Sequence, residues 1–140
     1  MEALENPPEV ELNRWYYSDP VTVTREMVNT YIELSQDTNP IHADVEDALI
    51  EHYGTPTIPG FMTTVLLARY FPIVNNWVIG SIEIKMREPI FVGDTIYSKW
   101  RPIRLGNKVR KFDLEVYVGE KLKQKQTFNI INISDVKVPA

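Results

Sequence analysis

The sequence predicts an α+β domain in which one buried helix is wrapped by a curved antiparallel sheet. Three observations lead there. From Trp77 onward apolar residues recur with a period of two, interrupted by turn pairs at Gly93-Asp94, Gly106-Asn107 and Gly119-Glu120. Residues 61–71 are instead apolar around most of a helical circumference, which places that helix inside a protein. A chain of 140 residues, 44% apolar and carrying 3 Trp, 7 Tyr and 5 Phe, suits one compact domain with a sizeable core.

The elements follow in order. Residues 1–13 read as an N-terminal arm, with Pro7-Pro8 stopping regular structure, and residues 14–140 as the single domain. Residues 14–18 form a short strand. Thr24 caps a helix whose apolar face is Met27, Val28, Tyr31, Ile32 and Leu34. That helix ends near Asp37, because Pro40 lacks an N–H and pushes Asn39 out of the helical region. Asp44 caps a second, short helix through Tyr53, with Gly54 at its C-terminal cap. Residues 55–59, Thr-Pro-Thr-Ile-Pro, make a stiff extended link into the helix at 61–71. Ile82, Ile84 and Met86 then alternate with Glu83, Lys85 and Arg87. Further strands run over 95–103, along the face Phe112, Leu114, Val116 and Val118, and over 122–133. The last four strands read as a meander. A sheet this small leaves open edges, and pairing edges across a two-fold axis is a common remedy.

Composition removes several function classes. There is no Cys, so there is no disulfide framework, thiolate nucleophile or Cys-ligated zinc. Two His without a spaced ligand set give no metal centre. The start, MEALENPPEVEL, is acidic and polar, unlike a secretory or mitochondrial leader, and the longest apolar stretch, 65–68, is too short for a bilayer. The expectation is a cytoplasmic protein with no membrane partner. Residues 1–76 carry 3 basic and 12 acidic side chains, residues 77–125 carry 11 and 6. The basic half reads first as the solvated faces of strands, and second as a place for ligand phosphates. A pI near 5.2 without a stacking motif argues against nucleic acid.

The segment Ser35-Gln-Asp-Thr-Asn-Pro-Ile-His42 carries the chemistry. Asp37 sits where a helix ends and His42 follows a proline-stiffened turn, so a carboxylate and an imidazole can converge on one water, take its proton and return a proton to carbon. Asn39 between them can fix the turn or one of the pair. The same residues also read as an ordinary helix end, since Asx residues and Pro favour such positions. His52, in the last turn of the acidic helix expected at 44–53, suits the helix dipole rather than a site.

The spacing D-x-N-P-x-H, here Asp37-Thr-Asn-Pro-Ile-His42, resembles the signature of the MaoC-like family, which includes (R)-specific enoyl-CoA hydratases and 3-hydroxyacyl-thioester dehydratases. A helix precedes the motif and a short one follows, Pro59-Gly60-Phe61 opens the central helix, and REPIFVGDT at 87–95 is similar to the family's segment ending in V-G-D. The resemblance extends over residues 22–133. It implies the hot-dog fold, a long central helix wrapped by a bent antiparallel sheet, with one repeat in this chain and hence a homodimer or a heteromer. It implies Asp37 and His42 as the catalytic pair holding one water, and the Gly60 N–H as the donor to the thioester carbonyl. A free N–H at a helix start suits that charge, and such a preorganised donor lowers a barrier by about 3 kcal/mol. The implied reaction is hydration of a trans-2-enoyl thioester, on coenzyme A, to the (R)-3-hydroxyacyl thioester. It uses no metal or cofactor beyond the coenzyme A of the substrate. One departure stands out: Pro59 occupies the position before the glycine where the family usually has His, which bears on pocket shape. Two rival readings remain, a hot-dog acyl thioesterase and a subunit of a two-chain dehydratase.

Overall fold

The computed structural model describes residues 9–39, 42, 55–73 and 75–136. The expected helix at 44–53, with His52 and Gly54, lies outside the described residues. Two short strands, β1 (Tyr16–Tyr17) and β2 (Val21–Thr22), precede helix α1 (Arg25–Ser35). The central helix α2 (Met62–Leu67) continues as a single 3-10 turn (Ala68–Tyr70). The long strands are β3 (Trp77–Met86), β4 (Thr95–Leu105), β5 (Val109–Val118) and β6 (Lys121–Asn132).

Among the described residues the sheet has six antiparallel strands in the order β1-β4-β5-β6-β3, with β2 also paired to β4. Only β4, β5 and β6 form a meander, so the expected four-strand meander is corrected: β3 pairs with β6, not with β4. The connection from β3 to β4 therefore crosses the sheet instead of turning tightly. Two features favour the crossing. The N–H groups of Arg87 and Glu88 both donate to Lys123 O (2.9 and 3.2 Å), which keeps the chain on β6 beyond the end of β3. Pro89 follows and has no N–H with which to start a hairpin ladder. The crossing segment then pairs with the 55–59 link, through Ile58 N–H to Ile90 O (2.8 Å), Val92 N–H to Pro56 O (3.1 Å) and a bridge between Thr57 and Phe91.

Alternation fixes which face is buried. Phe112, Leu114 and Val116 of β5 point inward with Phe128 and Ile130 of β6 and with Ile96 and Trp100 of β4. Rings run in a column across the strands: Phe71 stacks on Phe128 and Phe128 on Phe112, each at 5.1 Å, and Trp100 meets Phe112 edge-on at 5.7 Å. Each such pair contributes about 0.5–1.5 kcal/mol beyond area burial. Truncating Phe128 to Ala would therefore cost about 3–5 kcal/mol.

The central helix is shorter than expected and less enclosed. Pro72 cannot continue it, and the 3-10 turn tightens its end, where the Trp100 indole donates to Tyr70 O at 3.1 Å. Met62, Thr63, Thr64 and Leu67 are buried, whereas Phe61 and Val65 are exposed, so one face rather than the whole circumference packs on the sheet. In α1 Val28 is buried and Tyr31 and Ile32 reach the core margin, while Leu34 of the expected apolar face is exposed. Of the segment expected as an arm, Val10 packs against the core and the Asn13 N–H donates to Pro102 O at 2.8 Å. At the far edge, β3 bulges between Ile79 and Ser81, where Gly80 lets the Ile131 side chain lie across the backbone.

Candidate active site

Helix α1 delivers the first site residue by the way it stops. Thr24 caps its start, accepting from the Met27 N–H at 3.2 Å. At the other end Gln36 adopts the left-handed conformation (φ 59°), and its N–H closes on Ile32 O. Its side chain helps hold that turn by donating to Glu33 O at 2.8 Å. The chain then leaves the helix axis, and Asp37 folds back on its neighbours. Its N–H donates to Ser35 Oγ, and its Oδ1 accepts from the Asn39 N–H, both at 3.2 Å. The Asn39 carbonyl in turn accepts the His42 N–H at 3.1 Å. Asn39 thus joins the two ends of the turn through its backbone.

His42 is buried, and its ring is oriented from behind. Its Nδ1 lies 2.9 Å from Thr57 O and 3.2 Å from Thr57 Oγ1. A carbonyl only accepts, so Nδ1 is the donor of this contact, and in the tautomer that has its one proton there the lone pair belongs to Nε2. Nε2 faces Asp37 Oδ2 at 3.7 Å. That gap is too long for a hydrogen bond but short enough for one water oxygen to sit about 2.8 Å from both tips. The Arg25 guanidinium clamps the main chain at the same place, donating to His42 O at 2.7 Å.

The His42 ring opens on a cavity of about 420 Å³, lined among others by Thr57, Gly60, Met86, Arg87, Ile90 and Gln124. This is the size range of small-molecule sites. Gly60 lies at the turn into α2, and the space a side chain would take there is filled by the Met86 thioether. Among the described residues no acceptor meets the Gly60 N–H, while its carbonyl takes a hydrogen bond from Gln124 Nε2 at 3.2 Å. Pro59 is buried and its carbonyl accepts the Met62 N–H at 3.0 Å. The structure thus brings Asp37, Asn39 and His42 into one turn, and His42 and Gly60 into one cavity.

Among the described residues, five of the eleven basic residues in 77–125 are ion-paired. Lys85 meets Glu83, Lys99 meets Glu115 and Arg101 meets Asp113. Glu88 holds Lys121 at 3.5 Å and Lys123 at 3.4 Å. Burial alone would raise the Glu88 carboxyl, but the two lysines outweigh it and hold the group below the usual range. Arg87 lines the cavity.

A family model described as a MaoC-like domain matches residues 11–126. The chain belongs to the MaoC-like domain family. Over 52 residues this MaoC-like domain is 44% identical to the 3-hydroxyacyl-thioester dehydratase Z of Mycobacterium tuberculosis. The matched stretch is 37% of this chain and 34% of that protein, so the chain spans about a third of the length of the curated relatives it matches. The R-hydratase PhaJ1 of Pseudomonas aeruginosa superposes with a TM-score of 0.78 at 14% identity, covering 99% of this chain and 97% of that one. The (R)-hydratase of A. caviae involved in PHA biosynthesis gives 0.77 at 17% identity, covering 89% and 98%. These likenesses make the fold the hot dog. Among the described residues of the MaoC-like domain, no helix is long and apolar enough to cross a membrane.

Sequence reasoning did not single out Thr57, Arg25 or Gln124. Thr57 was hidden in a link read only as stiff. A polar residue at an inward position of β6 was the available signal for Gln124, since it shares a face with Phe128 and Ile130.

Proposed function

We propose that this MaoC-like domain adds water to a trans-2-enoyl thioester, carried on coenzyme A, to give the (R)-3-hydroxyacyl thioester, and catalyses the reverse. The observation that carries the reading is the turn that sets the Nε2 of a back-oriented His42 against Asp37 beside a cavity containing Gly60. The pair takes a proton from the water they share as its oxygen bonds to the β-carbon. The carbon–carbon π electrons move toward the thioester, the Gly60 N–H holds the charge on its oxygen, and a proton returns to the α-carbon. Both atoms of hydrogen come from the water, so no metal or organic cofactor enters the reading. Hydrolysis of the thioester would need no proton at carbon, and a shared Asp/His water beside a carbonyl donor suits addition better.

The working unit in this reading is a dimer. Strand β3 is a ten-residue edge that exposes Val78 (41%), Ile79 (42%) and Met86 (58%). Long apolar edges are unstable in isolation, and a second copy paired along β3 would extend one sheet through both chains. The localisation that fits is the cytoplasm. The test is a series of trans-2-enoyl-CoA substrates of increasing chain length, with loss of enoyl absorbance and release of free thiol followed together. Hydration without thiol release is expected. Thiol release without loss of the double bond would replace the reading with a thioesterase.

A further inference from the structure

Strand β6 buries two primary amides that core packing does not require. Its inward positions are Gln124, Gln126, Phe128 and Ile130, and each glutamine is 2% exposed. A buried amide costs stability unless its donors and acceptors are met, so Val or Leu would serve a purely structural strand better. Both glutamines spend their hydrogen bonds on the start of α2. Thr64 Oγ1 donates to Gln126 Oε1 at 3.3 Å, Gln126 Nε2 donates to Gln124 Oε1 at 3.1 Å, and Gln124 Nε2 reaches Gly60 O and Thr63 Oγ1, both at 3.2 Å. All the donors point one way. Each amide accepts at its oxygen and donates at its nitrogen, so neither can flip without breaking the chain, and each link strengthens the next.

The end of that chain is the residue with the most backbone freedom in the site. Glycine has no side chain to restrict its dihedrals. At Gly60 the flanking peptide planes are instead pinned from outside. The Pro59 carbonyl is held by the Met62 N–H, and the Gly60 carbonyl by Gln124. The Gly60 N–H lies in the first of these planes, opposite the Pro59 carbonyl, and the hold of Gln124 on the second restricts rotation about the Gly60 dihedrals that join the two. Gln124 also lines the cavity, so it acts at the wall where the substrate carbonyl would lie.

We propose that Gln124 is a positioning residue that aims the Gly60 N–H into the cavity, with Gln126 and Thr64 holding its amide in the required orientation. The proposal rests on the reading of Gly60 as the carbonyl donor, and the experiment separates the two. Butyryl-CoA is saturated and cannot be hydrated, so its thioester carbonyl stretch can be followed by difference infrared spectroscopy on the full chain while crotonyl-CoA hydration is measured in parallel. In the unmodified protein the stretch should fall on binding. Gln124→Met keeps side-chain length without the donor. It should return the stretch most of the way to its solution value and lower kcat about 10- to 100-fold with KM little changed, as expected of a misaimed catalytic group. A bolt between β6 and α2 with no catalytic bearing would instead lower the melting temperature and leave the stretch and kcat of the folded protein unchanged, which would overturn the proposal. A rise in KM with kcat retained would overturn it too. No carbonyl shift in the unmodified protein would overturn the Gly60 reading itself. Should Gln124→Met not fold, Gln126→Met decides, since it leaves the Gln124 donor but releases the end that orients it: a reduced shift and kcat support the proposal, and values equal to the unmodified protein overturn it.

Discussion

Asp37→Asn and His42→Gln, made singly and together, separate chemistry from structure at the turn. Asparagine keeps the oxygen that accepts the Asn39 N–H, and the side chain is partly exposed, so the change should cost about 0.5 kcal/mol of stability or less. Glutamine at 42 can still donate to Thr57 O, so its structural cost is about 1 kcal/mol, the worth of one imperfect hydrogen bond. Catalysis should respond on another scale. Loss of a positioned acid–base group costs about 10²- to 10⁴-fold in rate. That is about 3–5 kcal/mol of barrier, several times the stability term. Because the two tips lie 3.7 Å apart and share one water in the proposed mechanism, the double variant should be little slower than either single one. Independent groups would multiply their losses. Turnover of an enoyl-CoA by the three variants, with thermal melts of the same samples, reads both quantities. Folded variants that keep near-normal hydration would remove the pair from the mechanism. Lost stability with activity per folded molecule preserved would return Asp37 to the role of an ordinary helix end.

Other perturbations give sharper readings of single features. Arg87→Gln should raise KM for an acyl-CoA by about 2- to 5-fold, the size of an exposed charge interaction, and should flatten its dependence on ionic strength; identical salt profiles in the two proteins would remove Arg87 from phosphate binding. Ile79→Lys places a charge on the apolar edge of β3, and sedimentation at low concentration should then show a folded monomer, against the dimer proposed for the unmodified chain; a dimer in both proteins would move the interface elsewhere. Burial and then a 2.7 Å hydrogen bond to Glu115 push the Tyr117 hydroxyl up to about 12. An acid held protonated by the fold stabilises it fully below its unfolded value, about 10, and the contribution is lost as pH climbs toward 12. Denaturant titrations should therefore show the unmodified protein losing stability over that window relative to Tyr117→Phe, and parallel curves would contradict the assignment.

The parts of the fold set by local patterning were legible in the sequence. The period of two from Trp77, the glycine turns and the Thr24 cap depend on neighbours in the chain, and each lies where the pattern put it. What pattern could not supply was pairing between distant segments. Nothing local in Arg87 or Glu88 says that both will donate to Lys123 O, and this contact sends β3 to the far edge of the sheet. The enclosure of the central helix was over-read because an apolar surface signals burial without saying by what, and Phe61 and Val65 are apolar yet exposed. The candidate turn stood out because Asp37, Asn39 and His42 sit within six residues of one another. Thr57 and Gln124 did not, since each reaches the site across a long loop closure, the first at His42 and the second at Gly60.

The solvent side of the sheet has a bearing on how its strands align. Alternation of apolar and polar residues forbids a strand from slipping by one position, because every side chain would change face. It is silent about a slip of two. On the wet face Lys99 lies opposite Glu115 and Arg101 opposite Asp113, and Glu115 lies opposite Lys125 in turn. A two-residue slip of β4 on β5 sets Arg101 against Lys111 in one direction and Lys99 against Tyr117 in the other. Either way one of the two attractive pairs is lost, at about 0.2–1 kcal/mol for each pair of this kind. The Trp15 ring, placed against both Lys99 and Arg101, adds to the same preference. Charged residues on the outer face of β4 and β5 thus act as a ruler for the alignment of these two strands, a task that the buried apolar positions cannot perform.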